Sequence, residues 1–476
     1  MESELCSLFN HVNPQREKMR KMGLPFYSEP RTITTWRPCK AHGEDCTGIR
    51  IPRGGMARLR KLLKEHGLQH RVEDLRTEGE ALPEGAIPDH LLELRPYQRE
   101  MVESMAMKEN CLIRAGTASG KTSATIALIA QLKLPALVVV WSGGLFDQWQ
   151  ARIQKELGLA KKDIGVIRGA KRVLRPITIA MQQTLAKEVD PALAAYFGVV
   201  VLDEVQRAAA SSVYGAINPF PARYRIGVSA DERRRDGKEF LIGDLFGEVA
   251  YEITKEKLVQ VGATLDVSID VLPTAHDAPW YGVPDVGKKL DFGRLLDELC
   301  LDEARNLQVL NAAHEAALAG EQVLVMSHRR EHCVELARRV SEMGHRTGLL
   351  IGGADYATEF ARARDGLLDG TLRVGVGTYQ AVGTGTDLPG VGVAVAATPI
   401  AGNGPFFQQV RGRVCRKPDG KTAARMVYLW DHAVFGSHLK NLCKWNAEVR
   451  VQTGGSWVPG NEVVQRLKRG DKSVVL

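Results

Sequence analysis

The chain has 476 residues, too many for one ordinary core, so two or three domains are expected. Its 44% hydrophobic and 25% charged residues are those of a globular protein, and no apolar run approaches the ~18–20 residues of a membrane span, which excludes a helical membrane protein. The net charge of +8 favours a polyanionic partner, while eight scattered cysteines without a Cys-x-x-Cys pair exclude a disulfide framework.

The first 86 residues are expected to form a small basic module. Arg16 to Lys64 carries 13 Lys/Arg against 4 Asp/Glu, an excess larger than that of the whole chain. Thr32–Trp36 and Gly48–Pro52 alternate like strands. Gly55–Gly67 has the spacing of an amphipathic helix, with Met56, Leu59, Leu62 and Leu63 as its apolar stripe and Gly67 as C-cap. Its other face carries Arg58, Arg60, Lys61 and Lys64, suited either to solvent or to a nucleic-acid backbone. Cys39, His42 and Cys46 could offer three zinc ligands, with Cys6 or His11 as a fourth, but the loose spacing favours ordinary core or surface residues. The Glu/Pro/Gly-rich stretch from Gly79 to Pro88 has the composition of a linker. Because Met1-Glu-Ser-Glu-Leu is no signal peptide, a cytoplasmic protein is expected.

Residues 87–272 alternate strands and helices. Leu112–Arg114, Ala136–Val140, Ile177–Ala180, Val199–Leu202 and Ile226–Ser229 are short, almost wholly apolar runs, as expected where helices cover both faces of a parallel sheet. The stretch Cys111-Leu-Ile-Arg-Ala-Gly-Thr-Ala-Ser-Gly-Lys-Thr122 is a strand, a small-residue loop and a helix start. Such a loop, Ala115, Gly116, Thr117, Ala118, Ser119 and Gly120 here, wraps backbone N–H groups around a phosphate at a helix N-terminus. Lys121 would reach the β/γ-phosphates and Thr122 would hold Mg²⁺, although Ala115 replaces the first glycine of the usual pattern. Val199-Val-Val-Leu-Asp203-Glu204-Val-Gln206 ends a strand in two carboxylates. Asp203 is suited to Mg²⁺, and Glu204 to orienting and deprotonating a water.

Residues 273–450 repeat the pattern, after a connector inferred from the three prolines of Val271–Lys289. Val323–Met326, Thr347–Ile351, Val374–Gly377, Val393–Ala397 and Met426–Trp430 are strand candidates, with helices over Asp302–Ala319 and Glu331–Met343. Gln409-Val-Arg411-Gly412-Arg413-Val-Cys-Arg416 offers arginines of the kind that one domain points at another's γ-phosphate. Residues 451–476 are expected to be a tail, solvated at Lys468–Lys472.

On these motifs, in this order, the chain resembles superfamily 2 DEAD/DEAH-like helicases over roughly residues 91–432. The resemblance implies an α/β fold of two tandem RecA-like parallel-sheet domains, here behind a small N-terminal α+β module. Leu94-Arg95-Pro-Tyr-Gln98 is similar to that family's adenine-recognising element, with Gln98 reading the base and Arg95 beside it. Asp203-Glu-Val-Gln206 is similar to its Asp-Glu-x-His/Gln box, which adds Gln206 to the catalytic set. Val325–Arg330 resembles the fourth motif, with Arg329 on nucleic acid. Gly377–Pro389 resembles the fifth, with Thr378 on the nucleic-acid backbone and Gly385 and Asp387 by the nucleotide. Gln409–Arg416 resembles the sixth, with Arg413 and Arg416 as arginine fingers. Ser142, Gly143 and Gln182 are the implied first-domain nucleic-acid contacts.

Two stretches depart from the family. Ser229-Ala-Asp231-Glu stands where Ser-Ala-Thr-Pro is usual, before a familiar Arg234-Arg-Asp-Gly237, and Trp141-Ser142 stands where Pro-Thr is usual. The Asp-Glu-Val-Gln box and Arg234–Gly237 are most similar to duplex-DNA translocases, and Ile51-Pro-Arg-Gly54 followed by an amphipathic helix resembles phage-type recombination and branch-migration DNA helicases. The resemblance therefore implies an ATP- and Mg²⁺-dependent 3′→5′ DNA helicase or translocase, acting on single-stranded, forked or branched DNA, with RNA as a possible substrate and no membrane partner. An RNA helicase, a restriction-type motor subunit, or an ATP-switched clamp that does not unwind are the alternatives, the last kept open by Asp231.

Overall fold

The structure, a computed structural model, describes residues 2–21, 30–40, 47–70, 72, 74–187, 189–205, 210–230, 238–281, 291–383, 388–402, 404–418, 420–446, 448–471 and 473–474. Its contacts divide the chain into two units, Met1–Lys255 and Glu256–Leu476, each containing one eight-stranded sheet.

Across the first sheet the strands run Val249–Ile253, Asn110–Ala115, Tyr224–Ser229, Val199–Asp203, Ala136–Val140, Ile177–Met181, Gly165–Arg168 and Lys171–Val173. All neighbours are parallel except the last two, which form a hairpin. Ala136–Val140 and Val199–Asp203 are buried along their whole length. Helices cover both faces, so these strands are unbroken apolar runs rather than alternating ones. The strands not anticipated, Gly165–Arg168, Lys171–Val173 and Val249–Ile253, lie towards the sheet's margins, where half-exposed positions dilute the apolar signal.

The N-terminal module is α+β, as expected. Asn10–Val12 pairs with Thr32–Thr34 and Arg37–Lys40 with Thr47–Arg50, both antiparallel. The helix Met56–Glu65 buries Leu59 and Leu62 against Phe9, and Gly67 has φ +61°, as a left-handed C-cap requires. One expected surface residue is not free: the Arg58 guanidinium is paired with the buried Asp244. His11 is engaged by the same carboxylate, and His42 and Cys46 lie outside the described residues. The presumed linker is laid onto the first unit. Thr77 N donates to Pro221 O at 2.9 Å, Arg223 N donates to Thr77 O at 2.7 Å, and Ile87 is buried.

Across the second sheet the order is Thr347–Leu350, Val374–Thr378, Gln322–Ser327, Val391–Ala396, Arg425–Asp431, Ser268–Thr274, Val449–Thr453 and Ser456–Pro459. Again only the last pair is antiparallel. Two boundaries differ from expectation. The first domain does not extend to residue 272: Ser268–Thr274 is an inner strand of the second sheet, between Arg425–Asp431 and Val449–Thr453. Pro273 disguised it, since proline inside a strand usually argues against one. Its Asp270 is buried beneath Arg450 and Arg425, a polar position that also broke the apolar pattern.

Nor are residues 451–476 a free tail. Gly454 and Gly455, with φ of +54° and +82°, turn a hairpin that completes the sheet, and the helix Gly460–Lys468 buries Val463. Lys468 and Arg469 are exposed, as anticipated. No helix among the described residues is long and apolar enough to cross a membrane.

The second unit also contains a buried ion pair. Arg305 Nε donates to Asp431 Oδ1 at 2.7 Å, Thr274 Oγ1 donates to the same oxygen at 2.7 Å, and Arg305 also reaches Ala397 O. Arg305 is 1% exposed and Asp431 0%. Removing one partner strands the other charge in a medium that cannot solvate it. Arg305→Ala is therefore expected to destabilise this unit by about 3–5 kcal/mol, read as a lower denaturant midpoint. A shift under about 1 kcal/mol would place solvent at Asp431.

Candidate nucleotide site and nucleic-acid surface

The strand Asn110–Ala115 delivers the small-residue loop to the C-terminal edge of the first sheet, and the helix Lys121–Leu132 leads away from it. Ala118 and Gly120 both take left-handed φ, +67° and +81°. The φ at Gly120 favours glycine, and a Cβ there would displace the Gln98 carboxamide. The Lys121 ammonium donates to Ala115 O at 2.8 Å and Gly116 O at 3.4 Å, curled over its own loop. Ser119 is fully buried, and its hydroxyl has no partner among the described residues. A buried hydroxyl lacking an acceptor, a backbone turned through left-handed conformations and a helix N-terminus make up a cradle for phosphate.

Gln98 is brought to this loop. Its Nε2 donates to Ser119 O at 3.2 Å, while its Oε1 accepts from Arg95 N at 2.9 Å and so caps the helix Pro96–Lys108. Tyr97 Oη adds a second hydrogen bond to Ser119 O, at 3.0 Å. The segment just before is latched behind the loop: the buried Glu156 carboxylate meets His90 Nε2, Ser123 Oγ and Arg152 Nε, each at 3.0 Å.

Asp203 and Glu204 end a strand two places across the same sheet edge. Asp203 Oδ1 accepts from Glu204 N at 2.8 Å, and Oδ2 accepts from Trp149 Nε1 at 2.7 Å. Burial, reinforced by the Glu204 charge, raises the Asp203 carboxyl above the ordinary aspartate range; the Trp149 hydrogen bond and the nearby Lys121 oppose this. A buried carboxylate close to a lysine, with an orphaned hydroxyl in the adjoining loop, is a donor set fitted to a hard divalent cation beside phosphate. Glu204 has φ +53°, a left-handed conformation that is costly outside glycine and concentrates at functional positions. Val205 N, donating to Val228 O at 3.2 Å, anchors the bend. Gln206 and Asp231–Gly237 lie outside the described residues.

Trp149 escaped the sequence reading. The signal was there: on the helix Gly143–Leu157 it belongs to the buried stripe with Phe146, Ile153 and Leu157, and a buried indole N–H needs an acceptor. Trp149→Phe is expected to lower ATP turnover about tenfold, from loss of one hydrogen bond to a charged group. Without that donor the carboxyl shifts further up, so the acid limb of the rate–pH profile moves to higher pH. An unchanged profile would remove the tryptophan from the site.

Of the other first-unit positions, Ser142 caps the helix Gly143–Leu157, its Oγ accepting from Leu145 N at 3.3 Å. Gly143 lies beside the Arg168 guanidinium, and Gln182 is buried at the start of the turn Gln182–Leu185. In the second unit, Thr378 Oγ1 accepts from Ala381 N at 3.3 Å. Arg329 is engaged within its own unit, donating to Asp297 Oδ1 at 2.7 Å and Gly293 O at 2.8 Å. His328 donates or accepts at Thr398 Oγ1 at 2.8 Å, and burial next to Arg329 pushes its imidazole down to about 4, so it is neutral at pH 7. Arg413 sits at the end of the helix Pro405–Val414, only 8% exposed, and donates to Gly383 O at 3.2 Å. Arg416 follows that helix, its backbone bridged to Thr264. Gly385 and Asp387 lie outside the described residues.

Two helix-covered sheets, parallel but for one antiparallel pair at the end of each, and a phosphate cradle and paired Asp-Glu at the C-terminal edge of the first, match the tandem RecA-like domains of superfamily 2 helicases, and the chain is a nucleic-acid-dependent ATPase. The family described as "Type III restriction enzyme, res subunit" matches residues 91–232, the stretch from the adenine element through the third motif. The chain is 24% identical over 363 residues to "Probable helicase D10" of Escherichia phage T5, covering 76% of this chain and 75% of that protein. It is 26% identical over 386 residues to the "DNA 3'-5' translocase XPB2" of Sulfurisphaera tokodaii, covering 75% and 86%. Among solved structures, S. cerevisiae Dbp5 bound to RNA and ADP BeF3 superposes with a TM-score of 0.51 at 14% identity, covering 80% of this chain and 98% of that one, a likeness of fold.

Proposed function

We propose that the chain is an intracellular ATP-dependent DNA translocase that moves 3′→5′ and unwinds or branch-migrates duplex DNA. The observation that carries this is the convergence of Lys121, Asp203 and the strained Glu204 on one sheet edge. In this reading the Ala115–Gly120 backbone and Lys121 hold the β- and γ-phosphates of ATP. Thr122 and Asp203 hold Mg²⁺, which when bound neutralises charge on the phosphates. Glu204, assisted by Gln206, orients a water in line with the γ-phosphorus and takes its proton. Gln98 and Arg95 receive the adenine, and Gly385 and Asp387 approach the nucleotide from the second domain. Arg413 and Arg416 supply positive charge to the γ-phosphoryl oxygens as they spread charge in the transition state.

Ser142, Gly143, Gln182, Arg329 and Thr378 grip the backbone of one strand. For Arg329 this means exchanging the Asp297 carboxylate for a phosphate, a like-for-like charge-assisted hydrogen bond. The exposed Arg60, Lys61 and Lys64 of the N-terminal module meet further phosphates. DNA rather than RNA is supported by the similarity to the DNA 3'-5' translocase XPB2 of Sulfurisphaera tokodaii.

A strand-displacement assay with forked DNA, an RNA duplex and a four-way junction is the test. ATP-dependent displacement or junction migration on DNA is expected. Displacement confined to RNA would make the chain an RNA helicase. ATP-dependent binding without displacement would make it a clamp, the outcome that Asp231 in the third motif keeps open. Translocation along duplex DNA without displacement is the restriction-motor outcome.

A further inference from the structure

The N-terminal module is seated on the helix Phe240–Phe246, which follows the third motif in the chain. Gly54, from the Ile51-Pro-Arg-Gly54 element, lies against that helix's backbone. A Cβ at Gly54 would collide with Gly243 O and Gly247 N and come within 2.8 Å of Asp244 O. Arg53 donates both guanidinium ends to Ala222 O and Arg223 O, just before the strand Tyr224–Ser229. Arg58 pairs with Asp244, a side chain with no solvent exposure, and His11 Nε2 faces the other Asp244 oxygen at 3.4 Å. The His11 ring stacks on Phe240 with centroids 4.0 Å apart and planes 19° apart. Shape, charge and ring stacking thus converge on a single short helix.

That helix has two neighbours of consequence. Towards its N-terminus it continues from the third motif, which in this chain carries Asp231. Beyond its C-terminus is the strand Val249–Ile253, which pairs with Asn110–Ala115, the strand that feeds the phosphate loop. The exposed Arg60, Lys61 and Lys64 stand on the same helix, Met56–Glu65, whose Arg58 is consumed in the seat. A buried carboxylate paired with one arginine cannot release it without a large desolvation cost, so the seat fixes the module in one orientation.

We propose that the Gly54/Arg58–Asp244 seat makes the basic module a fixed third nucleic-acid grip of the first RecA-like domain, so that nucleic acid stimulates ATP turnover only while the module is docked. Arg58 is a positioning residue in this scheme, not a phosphate contact. The proposal rests on the reading that the module's basic face binds nucleic acid, and the two can fail separately.

The test uses the full chain as wild type, Arg58→Asp, Asp244→Arg and the double charge swap, with Gly54→Val as an independent way to undock the module. Basal ATP turnover, turnover with saturating forked DNA, DNA affinity at two salt concentrations and thermal melting are measured for each. Arg58→Asp and Gly54→Val are expected to keep basal turnover and DNA affinity within about threefold and to lose about tenfold in DNA-stimulated turnover, as for a broken pair acting through one interface. The charge swap is expected to restore stimulation to within about threefold of wild type. Wild-type stimulation in both Arg58→Asp and Gly54→Val overturns the proposal. So does a loss of DNA affinity in Arg58→Asp that the swap does not rescue, since Arg58 would then be a phosphate contact. Unchanged DNA affinity on deleting residues 1–86 instead overturns the nucleic-acid reading of the module, whatever the swap shows.

Discussion

Lys121→Ala is expected to reduce ATP turnover by about a hundred- to a thousandfold, the scale for removing one preorganised charge from a phosphoryl-transfer site. Lys121 is curled onto Ala115 O and Gly116 O, so its ammonium is already held over the cradle where phosphate would lie. Binding then exchanges two carbonyl acceptors for phosphate oxygens with little movement of the stem. The variant loses that charge and also the lysine's tie across the loop, so ATP affinity is expected to fall with turnover. A variant that turns over ATP at the wild-type rate with DNA present would remove the loop from the active site.

Arg413→Ala is expected to have a different signature: ATP affinity within about twofold and turnover down by about a thousandfold, the lower end of the range for an arginine finger. A group that acts only on charge developing in the transition state lowers turnover and not ground-state binding. Because Arg413 is 8% exposed and donates to Gly383 O, the alanine variant also leaves a carbonyl short of a donor. Arg413→Lys, which keeps the charge but loses the planar fork, is the control. Its melting temperature should match wild type while turnover stays low. Unchanged turnover in both variants would assign the arginine to the second domain's own packing.

The two signatures separate the halves of the proposed mechanism. Loss of binding with Lys121 and loss of turnover alone with Arg413 would mean that the first domain captures the nucleotide and the second promotes its hydrolysis. Loss of binding in both would mean that the second-domain arginine contributes to the ground state as well, and the finger assignment would give way to a phosphate clamp.

Much of this protein was determined by its sequence alone, because much of it depends on short-range chemistry. Ala136–Val140 and Val199–Asp203 are buried strands because five consecutive residues say so, and Gly120 precedes Lys121 because a left-handed turn must open the helix. The order of motifs picked out Gln98, the small-residue loop and the paired carboxylates, and the structure brings them to one sheet edge. What the sequence left undecided depends on partners far along the chain. Ser268–Thr274 joined the second sheet because Arg425–Asp431 and Val449–Thr453 offered it two parallel neighbours, which outweighed the local warning of Pro273. Arg58 had the local pattern of a surface cation until Asp244 claimed it, and Trp149 that of a core residue until Asp203 accepted its N–H. A residue's periodicity records which face of its own helix or strand it occupies; which buried charge it neutralises is decided only when distant segments pack, because only then does the loss of water make that pairing obligatory.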